Sequence, residues 1–500
     1  MAKKTIFVII LFFVPIITEL QAGDSTRTDS LTIRLQDAVL MALEANPTLL
    51  VQRLDPDIAR TYAREQRAAF DPAVTLSASR SETKSLRFLG SRPEPFELTS
   101  ERIQYDMSLT QLLPTGTSLA ATASVIGSIS SIYTDQYSGD VNMTMTQSLL
   151  QGFGTGYNLA SLRKAKLDAE ISALELKAVA EQLTADVEKA YWDLYLAKQE
   201  IAIQQRSLEL AEKQMSESRE RVNVGRLPEL ELAAVHAEAA TRKESMIDAQ
   251  SRYDQARLHL IFLLNPPSGQ SWDVVPVLVD VPMIPIDSLA ASDIHEELAM
   301  KYRPDLLQAK LNIKKNKADL ARTRNGLLPR LDLFITLGRT TYAQSFNESI
   351  PDIHSPYSTV SGGLTFEFPL PNRQARAEHA RSKYQREQVE ISLKNMERLV
   401  QWDVRAAYIE AVRSRQQIEA TRVARDLQEK KLDAELEKFR VGKSTNYLVL
   451  QAQRDFIASQ LDEARANVGH INAIVDLQLM EGTLLERRGI ETFSVDRDSK

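Results

Sequence analysis

The sequence predicts a mainly α-helical fold with a transmembrane β-barrel, in a chain that is built as a tandem repeat. Three features of the 500 residues predict it: two helical runs of unusual length, several segments that alternate between apolar and polar residues, and a pattern that occurs twice. Helices in ordinary domains run about 8–20 residues. Runs several times longer therefore indicate rods rather than a compact globule.

The N-terminus has the composition of a secretory signal peptide. A basic start precedes an apolar core at residues 5–18, and Ala22 is a small residue suited to cleavage. An uncleaved anchor helix is the alternative, but Pro15 and the shortness of the apolar core argue against it. We therefore expect an exported chain whose signal peptide covers residues 1–22.

Composition narrows the possible functions and the possible membrane elements. The formal net charge is −6, so nothing favours nucleic acid as a partner. The absence of cysteine excludes disulfides, thiolate chemistry and a lipid anchor on a cysteine after the signal. Beyond the signal no apolar run approaches the ~20 residues of a membrane-spanning helix. A membrane-spanning part would therefore have to consist of strands.

The first predicted elements after the signal are a helix and a set of strands. The helix is expected from about Thr32 to Phe70, with a break at Asn46-Pro47 and an end at Asp71-Pro72. Segments of about ten residues that are apolar on one face match outer-membrane barrels, and a soluble antiparallel sheet is the alternative. The apolar members of the four segments are Val74, Leu76, Ala78; Tyr105, Met107, Leu109; Leu119, Ala121, Ala123, Val125; Val141, Met143, Met145.

Two rods are predicted at residues 157–224 and 373–441, which contain neither glycine nor proline. At ~1.5 Å per residue each would measure roughly 100 Å. Val187, Leu194 and Ile201 belong to a series that recurs every seven residues, which is typical of close-packed supercoiled helices. Shorter helices are expected at about 228–264, 290–327 and 446–481. From their summed lengths, 228–264 and 290–327 should stack end to end beside a rod, and so should 446–481 and the first helix.

The second half of the chain repeats the first. Early matches lie 257 residues apart and later ones 217 residues apart, and self-similarity of this kind predicts a duplicated architecture. The matches pair Pro47 with Pro304, Pro72 with Pro329, Ala190-Tyr191 with Ala407-Tyr408, and Val224-Gly225 with Val441-Gly442. We assign residues 23–286 to the first repeat, 287–482 to the second and 483–500 to a C-terminal tail.

The two repeats differ mainly in their strands. The offset falls by 40 residues within the strand region, so the first repeat should contain one extra hairpin. This gives four strands in the first repeat (helix, four strands, long helix, helix) against two in the second. The second repeat's strands are expected at residues 331–337 and 360–368, where apolar residues alternate again.

The chain resembles the TolC family of outer-membrane efflux channels over essentially its whole mature length. The resemblance rests on the duplicated order of motifs such as LLPRLDLFITLG, TQSLLQGFG, RVNVGRLPELE and KFRVGKSTNYL. It implies a homotrimer with a β-barrel among outer-membrane lipid and a long α-helical barrel across the periplasm. It also implies docking onto a periplasmic adaptor protein driven by an inner-membrane pump.

The function implied is the outer-membrane channel of a tripartite efflux or type I secretion system, which gives substrates a continuous exit duct. A non-pore periplasmic coiled-coil scaffold or adaptor is the alternative, and six alternating strands argue against it. In a trimer, six strands per chain would give an 18-stranded barrel, unless the extra hairpin packs outside the wall.

The resemblance places the adaptor-docking tip at the two turns where the rods reverse. A glycine after a helix end is also a common left-handed cap, which alone explains Gly225 and Gly442. Family members often carry acidic residues past the second turn, but Leu448 and Gln451 stand there. The candidate docking residues are Arg221, Val224, Gly225, Leu227, Pro228, Arg440, Val441, Gly442 and Ser444. The candidate entrance-lining residues are Glu229, Glu231 and Gln451.

No catalytic or cofactor site is predicted. The histidines occur singly, without the spacing of metal ligands and without a nucleophile motif. We therefore expect no enzymatic activity, no metal and no cofactor. The six histidines are His236, His259, His295, His354, His379 and His470.

Overall fold

The structure is a computed structural model that describes residues 30–88, 94–132, 134–225, 228–266, 272–283 and 289–490. A layer of long helices continues at one end into an antiparallel sheet. The predicted signal peptide and most of the predicted C-terminal tail lie outside the described residues.

Helices account for most of the described chain. The two predicted rods are present as single helices of 64 and 68 residues. In chain order the helices are α1 (Leu35–Ala45), α2 (Pro47–Gln52), α3 (Asp55–Ala68), α4 (Thr155–Asn158), α5 (Ala160–Asn223), α6 (Leu230–Leu264), α7 (Ser292–Tyr302), α8 (Pro304–Asn325), α9 (Arg373–Arg440), α10 (Asn446–Glu481) and α11 (Leu484–Arg487).

The strands form one small and one large sheet. In chain order the strands are β1 (Ser30–Ile33), β2 (Ala73–Arg87), β3 (Phe96–Leu112), β4 (Thr117–Ser130), β5 (Gln136–Ser148), β6 (Val275–Leu278), β7 (Arg330–Ala343) and β8 (Tyr357–Glu367). The small sheet pairs β1 with β6 in parallel, and the large sheet has the order β2-β3-β4-β5-β7-β8 with antiparallel neighbours.

Two predicted helices need correction. The helix expected from Thr32 to Phe70 is wrong at its start, because Thr32 lies in β1, and it is divided into α1, α2 and α3. Pro47 stands in the first turn of α2, where its missing N–H costs no hydrogen bond. The helix expected at 290–327 is likewise divided, at Pro304. The segment between α6 and α7 contains β6, a strand that the sequence did not predict.

The helices form four columns as long as the rods. α3 and α6 pack on one side of α5, while α8 and α10 lie between α5 and α9. The short helices are therefore stacked beside the rods, but the predicted end-to-end pairs are wrong. α6 meets the first helices, where Asn46 Nδ2 donates to the carbonyl of Leu263 at 3.0 Å, and α10 meets the helices that open the second half, where Gly482 lies against Arg303. At mid-height, α1 packs on α5 and α7 packs on α9.

Two apolar cores hold these mid-height elements on the columns. The first includes Ile33, Leu49, Tyr191 and Leu264, and the second includes Leu306. Burying each such large side chain contributes ~1.5–3 kcal/mol. The Tyr191 hydroxyl also donates to the carbonyl of Ile33 at 3.2 Å. Tyr191 thus fixes β1 beside the first rod.

The large sheet has one apolar and one polar face, because paired residues of neighbouring strands share a face. One row across all six strands is Val74, Leu109, Ala121, Met143, Leu337 and Val360. The next row is Thr75, Ser108, Thr122, Asn142, Gly338 and Thr359. The predicted alternation therefore defines a continuous apolar face and a continuous polar face. The extra hairpin of the first half is part of this sheet.

Candidate functional site

Both rods reverse at the end of the helical layer that lies opposite the sheet. α5 ends at Asn223 before α6 begins at Leu230, and α9 ends at Arg440 before α10 begins at Asn446. We call this end the tip and define it as residues 221–231 and 435–451. Leu227, a predicted docking residue, lies outside the described residues.

The two turns have the same backbone geometry. Val224 and Val441 share φ −92° and ψ 8°, and Gly225 and Gly442 follow with φ +70° and +77°. A Cβ added to either glycine would meet no atom within 4 Å. Glycine is therefore favoured here by the left-handed backbone and not by crowding.

The second turn ends α9 with a Schellman motif. The N–H of Gly442 donates to the carbonyl of Phe439 at 3.1 Å, and the N–H of Lys443 donates to the carbonyl of Lys438 at 2.8 Å. The side chain of Thr445 then accepts from the N–H of Leu448 at the start of α10. The reversal is thus fixed by capping bonds at both of its ends.

Arg221 brings the two turns together. Its guanidinium carbon lies 5.3 Å from the centroid of the Phe439 ring, a cation–π contact. Nearby, the Gln214 amide donates to Asn446 Oδ1 at 2.7 Å. Arg221 was predicted at the tip from sequence, but its partner Phe439 was not, because the two residues are far apart in the sequence.

The other polar docking candidates bond within their own turn. Arg440 Nη1 lies 2.6 Å from Glu437 Oε1, and Ser444 Oγ donates to Glu435 Oε2 at 2.7 Å. These bonds hold the second turn in shape while leaving the Arg440 side chain 69% exposed.

The tip exposes several large apolar side chains among its charged ones. Val224 and Val441 are 68% and 66% exposed, and Leu230 is 85% exposed. Tyr447 and Leu448 are also exposed. Exposed apolar residues grouped in this way are typical of protein-binding surfaces. The sequence indicated the two valines but not Leu230 or Tyr447, which lie on amphipathic helices whose outward face cannot be assigned locally.

The three entrance candidates follow the turns. Glu229 and Gln451 are exposed, Glu231 is half-buried, and Pro228 is exposed beside them. Glu229 and Glu231 lie at the start of α6, whereas Gln451 lies in the second turn of α10. Their role at an entrance stays a prediction, because it depends on how copies of the chain face each other.

A buried ion-pair cluster joins α6 to α10 above the tip. Glu238, 2% exposed, accepts hydrogen bonds from Arg242 at 2.7 Å and from Arg454 at 2.9 Å. Burial alone would raise the pKa of Glu238, but the hydrogen bonds and charges of Arg454 and Arg242 lower it overall. The carboxylate is therefore ionised and links the helices of the two repeats.

A second buried carboxylate, that of Glu181 in α5, has a pKa that is raised overall. Burial raises the pKa of Glu181 to about 7, and Lys177, 3.6 Å away, offsets only part of this effect. The folded pKa lies above the unfolded value of 4.5, so the folded state holds this proton more tightly. Stability should therefore fall as pH rises from about 4.5 to about 7.

We expect Glu181→Gln to remove this fall. The amide needs no proton to stay neutral, so the variant should gain up to about 3 kcal/mol over wild type at pH 8 and little at pH 4. Thermal unfolding followed by circular dichroism at both pH values would measure it. Glu175→Gln, at an exposed site on the same helix, is the control. An unchanged pH dependence in Glu181→Gln would contradict the assignment.

The histidines are dispersed through the fold. His295 Nδ1 lies 2.5 Å from Glu481 Oε1, and His470 Nδ1 lies 3.0 Å from Ser414 Oγ. Burial and, secondarily, the charge of Arg415 lower the pKa of His470. Within the described ranges, no group of acidic and histidine side chains is arranged to hold a metal ion. The helices described there are also too short or too polar to cross a membrane.

Comparison with known proteins identifies the family. The family model for outer membrane efflux proteins matches residues 39–266 and 297–483, which include both rods and the large sheet. The chain belongs to the outer membrane efflux protein family. It is therefore an outer-membrane channel that extends into the periplasm, and the family is one of transport channels rather than enzymes.

Individual members show the range of this family. The chain is 26% identical to the pyoverdine export outer membrane protein OpmQ of Pseudomonas putida over 342 residues, which cover 64% of this chain and 66% of OpmQ. It is 20% identical to the proteases secretion protein PrtF of Dickeya chrysanthemi over 360 residues, which cover 69% of this chain and 76% of PrtF.

The fold is shared with solved outer-membrane channels. The CmeC outer membrane channel of Campylobacter jejuni superimposes with a TM-score of 0.66 at 15% identity, covering 90% of this chain and 86% of CmeC. The resemblance to the TolC family that the sequence predicted is confirmed. The alternative of a periplasmic scaffold without a pore is set aside by the family assignment.

Proposed function

We propose that three copies of this outer membrane efflux protein form a homotrimer, with an 18-stranded barrel across the outer membrane and a helical barrel of twelve columns across the periplasm. In this assembly the chain acts as the channel of a tripartite efflux or type I secretion system. The observation that carries the proposal is that the helical layer and the sheet both end in unpartnered edges on the same two sides.

The outer edge of the helical layer is α9. Five of its seven exposed large apolar residues recur at intervals that return to one face of a 3.6-residue helix, opposite the face that buries Val400 and Val404. They are Tyr384, Ile391, Trp402, Ile409 and Leu427. On the other edge of the layer, α3 and α6 expose Ile58, Tyr62, Ile247 and Phe262. Each edge thus offers an apolar stripe to another helix.

The edges of the large sheet coincide with those of the helices. β2 follows α3 and β8 precedes α9, so each sheet edge belongs to the same side as one helical edge. β2 and β8 are exposed along nearly their whole length. Because the sheet contains an even number of antiparallel strands, its two edge strands run in opposite directions, and β2 of one copy would run antiparallel to β8 of the next.

A contact between two different edges is heterologous, and repeated heterologous contacts form a closed ring when the rotation between neighbouring copies closes. Closure would pair the remaining strand edges and bury both apolar stripes. It would also turn the apolar face of the sheet toward lipid and the polar face toward the lumen, as in outer-membrane barrels. A threefold ring follows from the family resemblance and gives twelve columns and 18 strands.

The tip supports the partners we propose. It is the part of the chain farthest from the sheet, and it combines exposed Val224, Val441, Leu230 and Tyr447 with the basic side chains of Arg221 and Arg440. We propose that this surface docks onto a periplasmic adaptor protein, which an inner-membrane pump drives. The names of OpmQ and PrtF suggest two kinds of cargo, small exported molecules and secreted polypeptides.

Ile409→Asp tests the ring. Ile409 is 66% exposed in the single chain, and in the proposed trimer an unpaired carboxylate would be buried at every interface. We expect wild type to behave as a trimer and Ile409→Asp as a monomer in mild detergent, measured by size-exclusion chromatography with light scattering.

The control for this test is Gln417→Asp. Gln417 is also exposed on α9 but lies off the apolar stripe, so the same aspartate there should leave the trimer intact. A wild-type monomer, or an Ile409→Asp variant that is as trimeric as wild type, would contradict the proposed assembly.

A further inference from the structure

The loop between β7 and β8 folds back onto the apolar face of the sheet. We call residues 344–356 the strap. Ser349 of the strap is completely buried, and a Cβ added to Gly139 of β5 would lie 1.9 Å from the Ser349 carbonyl oxygen. Gly139 shares its face with Val141 and Met143, since side chains alternate along a strand. The strap therefore lies on the apolar face.

Several contacts hold the strap in place. The ring of Phe346 packs edge-on against Tyr105 and Tyr137, with centroids 5.6 and 6.5 Å apart. Arg339 Nη1 donates to the carbonyl of Ser355 at 2.6 Å. These contacts join the strap to β3, β5 and β7, so its position over the sheet is specified by side chains as well as by the backbone.

A groove of about 400 Å³ runs beside the strap, within the ~300–1,000 Å³ range of ligand pockets. Its floor consists of two paired rows of the apolar face, and Pro351 of the strap forms one wall. The rows are Leu76, Met107, Ala123 and Ala78, Tyr105, Val125.

The groove ends where the apolar face ends. In the next row toward the loops stands Arg80, paired with Ile103, and Arg80 Nε lies 2.5 Å from Glu101 Oε1. On the strap, Ile350 and Ile353 are 58% and 65% exposed. Charged residues therefore mark a polar boundary directly above an apolar groove, the arrangement expected just below the headgroups of a membrane leaflet.

We infer that this groove binds one acyl chain of an outer-membrane lipid, with the strap as the wall that holds the chain against β2, β3 and β4. The inference rests on the proposed orientation of the apolar face toward lipid. Ser77 and Asp106 also border the groove, but they belong to the polar face and bond to each other, with Ser77 Oγ donating to Asp106 Oδ2 at 3.2 Å. Apart from the Tyr105 hydroxyl, the floor residues on the apolar face are apolar, and the groove is continuous with the rest of that face. Ile350 and Ile353 would contact the neighbouring lipids.

Ala123→Trp tests the groove, because the indole would fill it from the floor. Ala121→Trp is the matched control: Ala121 is on the same strand and face, one row nearer the helices, and does not line the groove. Each protein is purified from outer membranes in dodecyl maltoside and titrated with chain-deuterated phosphatidylethanolamine. Native mass spectrometry then counts the lipids bound per protomer.

We expect wild type and Ala121→Trp to retain one lipid per protomer. The apparent affinity of Ala123→Trp for the lipid should be at least tenfold lower. Phe346→Ala, which removes the aromatic contact of the strap, should weaken retention without filling the groove. Equal retention by all four proteins, or detergent in place of lipid in wild type, would overturn the inference. Failure of wild type to sediment with outer membranes would instead contradict the proposed function.

Discussion

Replacing Ile335 by arginine is expected to prevent stable insertion into the outer membrane. Ile335 lies in the middle of β7, 46% exposed on the apolar face, opposite Met145 and Gly362. If this face contacts lipid, a charge near the midplane costs ~2–4 kcal/mol, and a trimer carries three such charges. The amount of trimer that sediments with outer membranes should fall well below wild type.

Thr336→Arg is the matched control, because Thr336 is the next residue of β7 and belongs to the polar face. On that face Thr336 Oγ1 lies 3.0 Å from Thr144 Oγ1. It should insert almost normally. Asp332, another polar residue of β7, would be a poorer control, because it is 4% exposed and its Oδ2 lies 2.6 Å from Arg330 Nε. Equal tolerance of arginine at residues 335 and 336 would contradict the assignment of the two faces.

Replacing both Gly225 and Gly442 by valine is expected to abolish export while leaving the trimer in the membrane. Both glycines have positive φ, a conformation that costs other residues about 1–2 kcal/mol each and a β-branched residue most. The turns should shift, and the exposed residues of the tip would no longer match a docking partner. Substrate efflux and cross-linking to the adaptor measure the loss, with outer-membrane trimer as the reference.

Asparagine at the same two positions provides the control. Asparagine tolerates the left-handed conformation better than valine, and open space surrounds both sites, so the double asparagine variant should retain most of its efflux. Normal efflux in the double valine variant would show that export does not depend on the geometry of the tip. Loss of trimer in that variant would make the turns folding elements only.

The helices and strands that have a clear local sequence pattern were predictable from the sequence. α5, α9 and α10 have close to the predicted bounds, because long stretches without glycine or proline leave helix as the one regular structure. The six strands of the large sheet followed from their alternation, and the placement of Leu333, Ile335 and Leu337 on one face is confirmed by the register with β8.

The elements that depend on distant partners were not predictable. β1 and β6 are four residues long and 242 residues apart, so neither carries a strand signal alone. The Arg221–Phe439 contact at the tip joins residues of different repeats. The sequence of the strap does not distinguish it from an ordinary loop, because its position depends on the contact between Ser349 and Gly139. In each case the deciding contact joins residues that are far apart in the sequence, and no local pattern indicates such a contact.

The exposed edge strands have a consequence for how the channel is made. β2 and β8 each present a row of unpaired N–H and C=O groups until a neighbouring copy arrives, and such rows pair readily with any other strand. In the proposed trimer, the stability of one folded copy would therefore depend on the concentration of the others. Before assembly, productive encounters between copies would compete with aggregation through these edges.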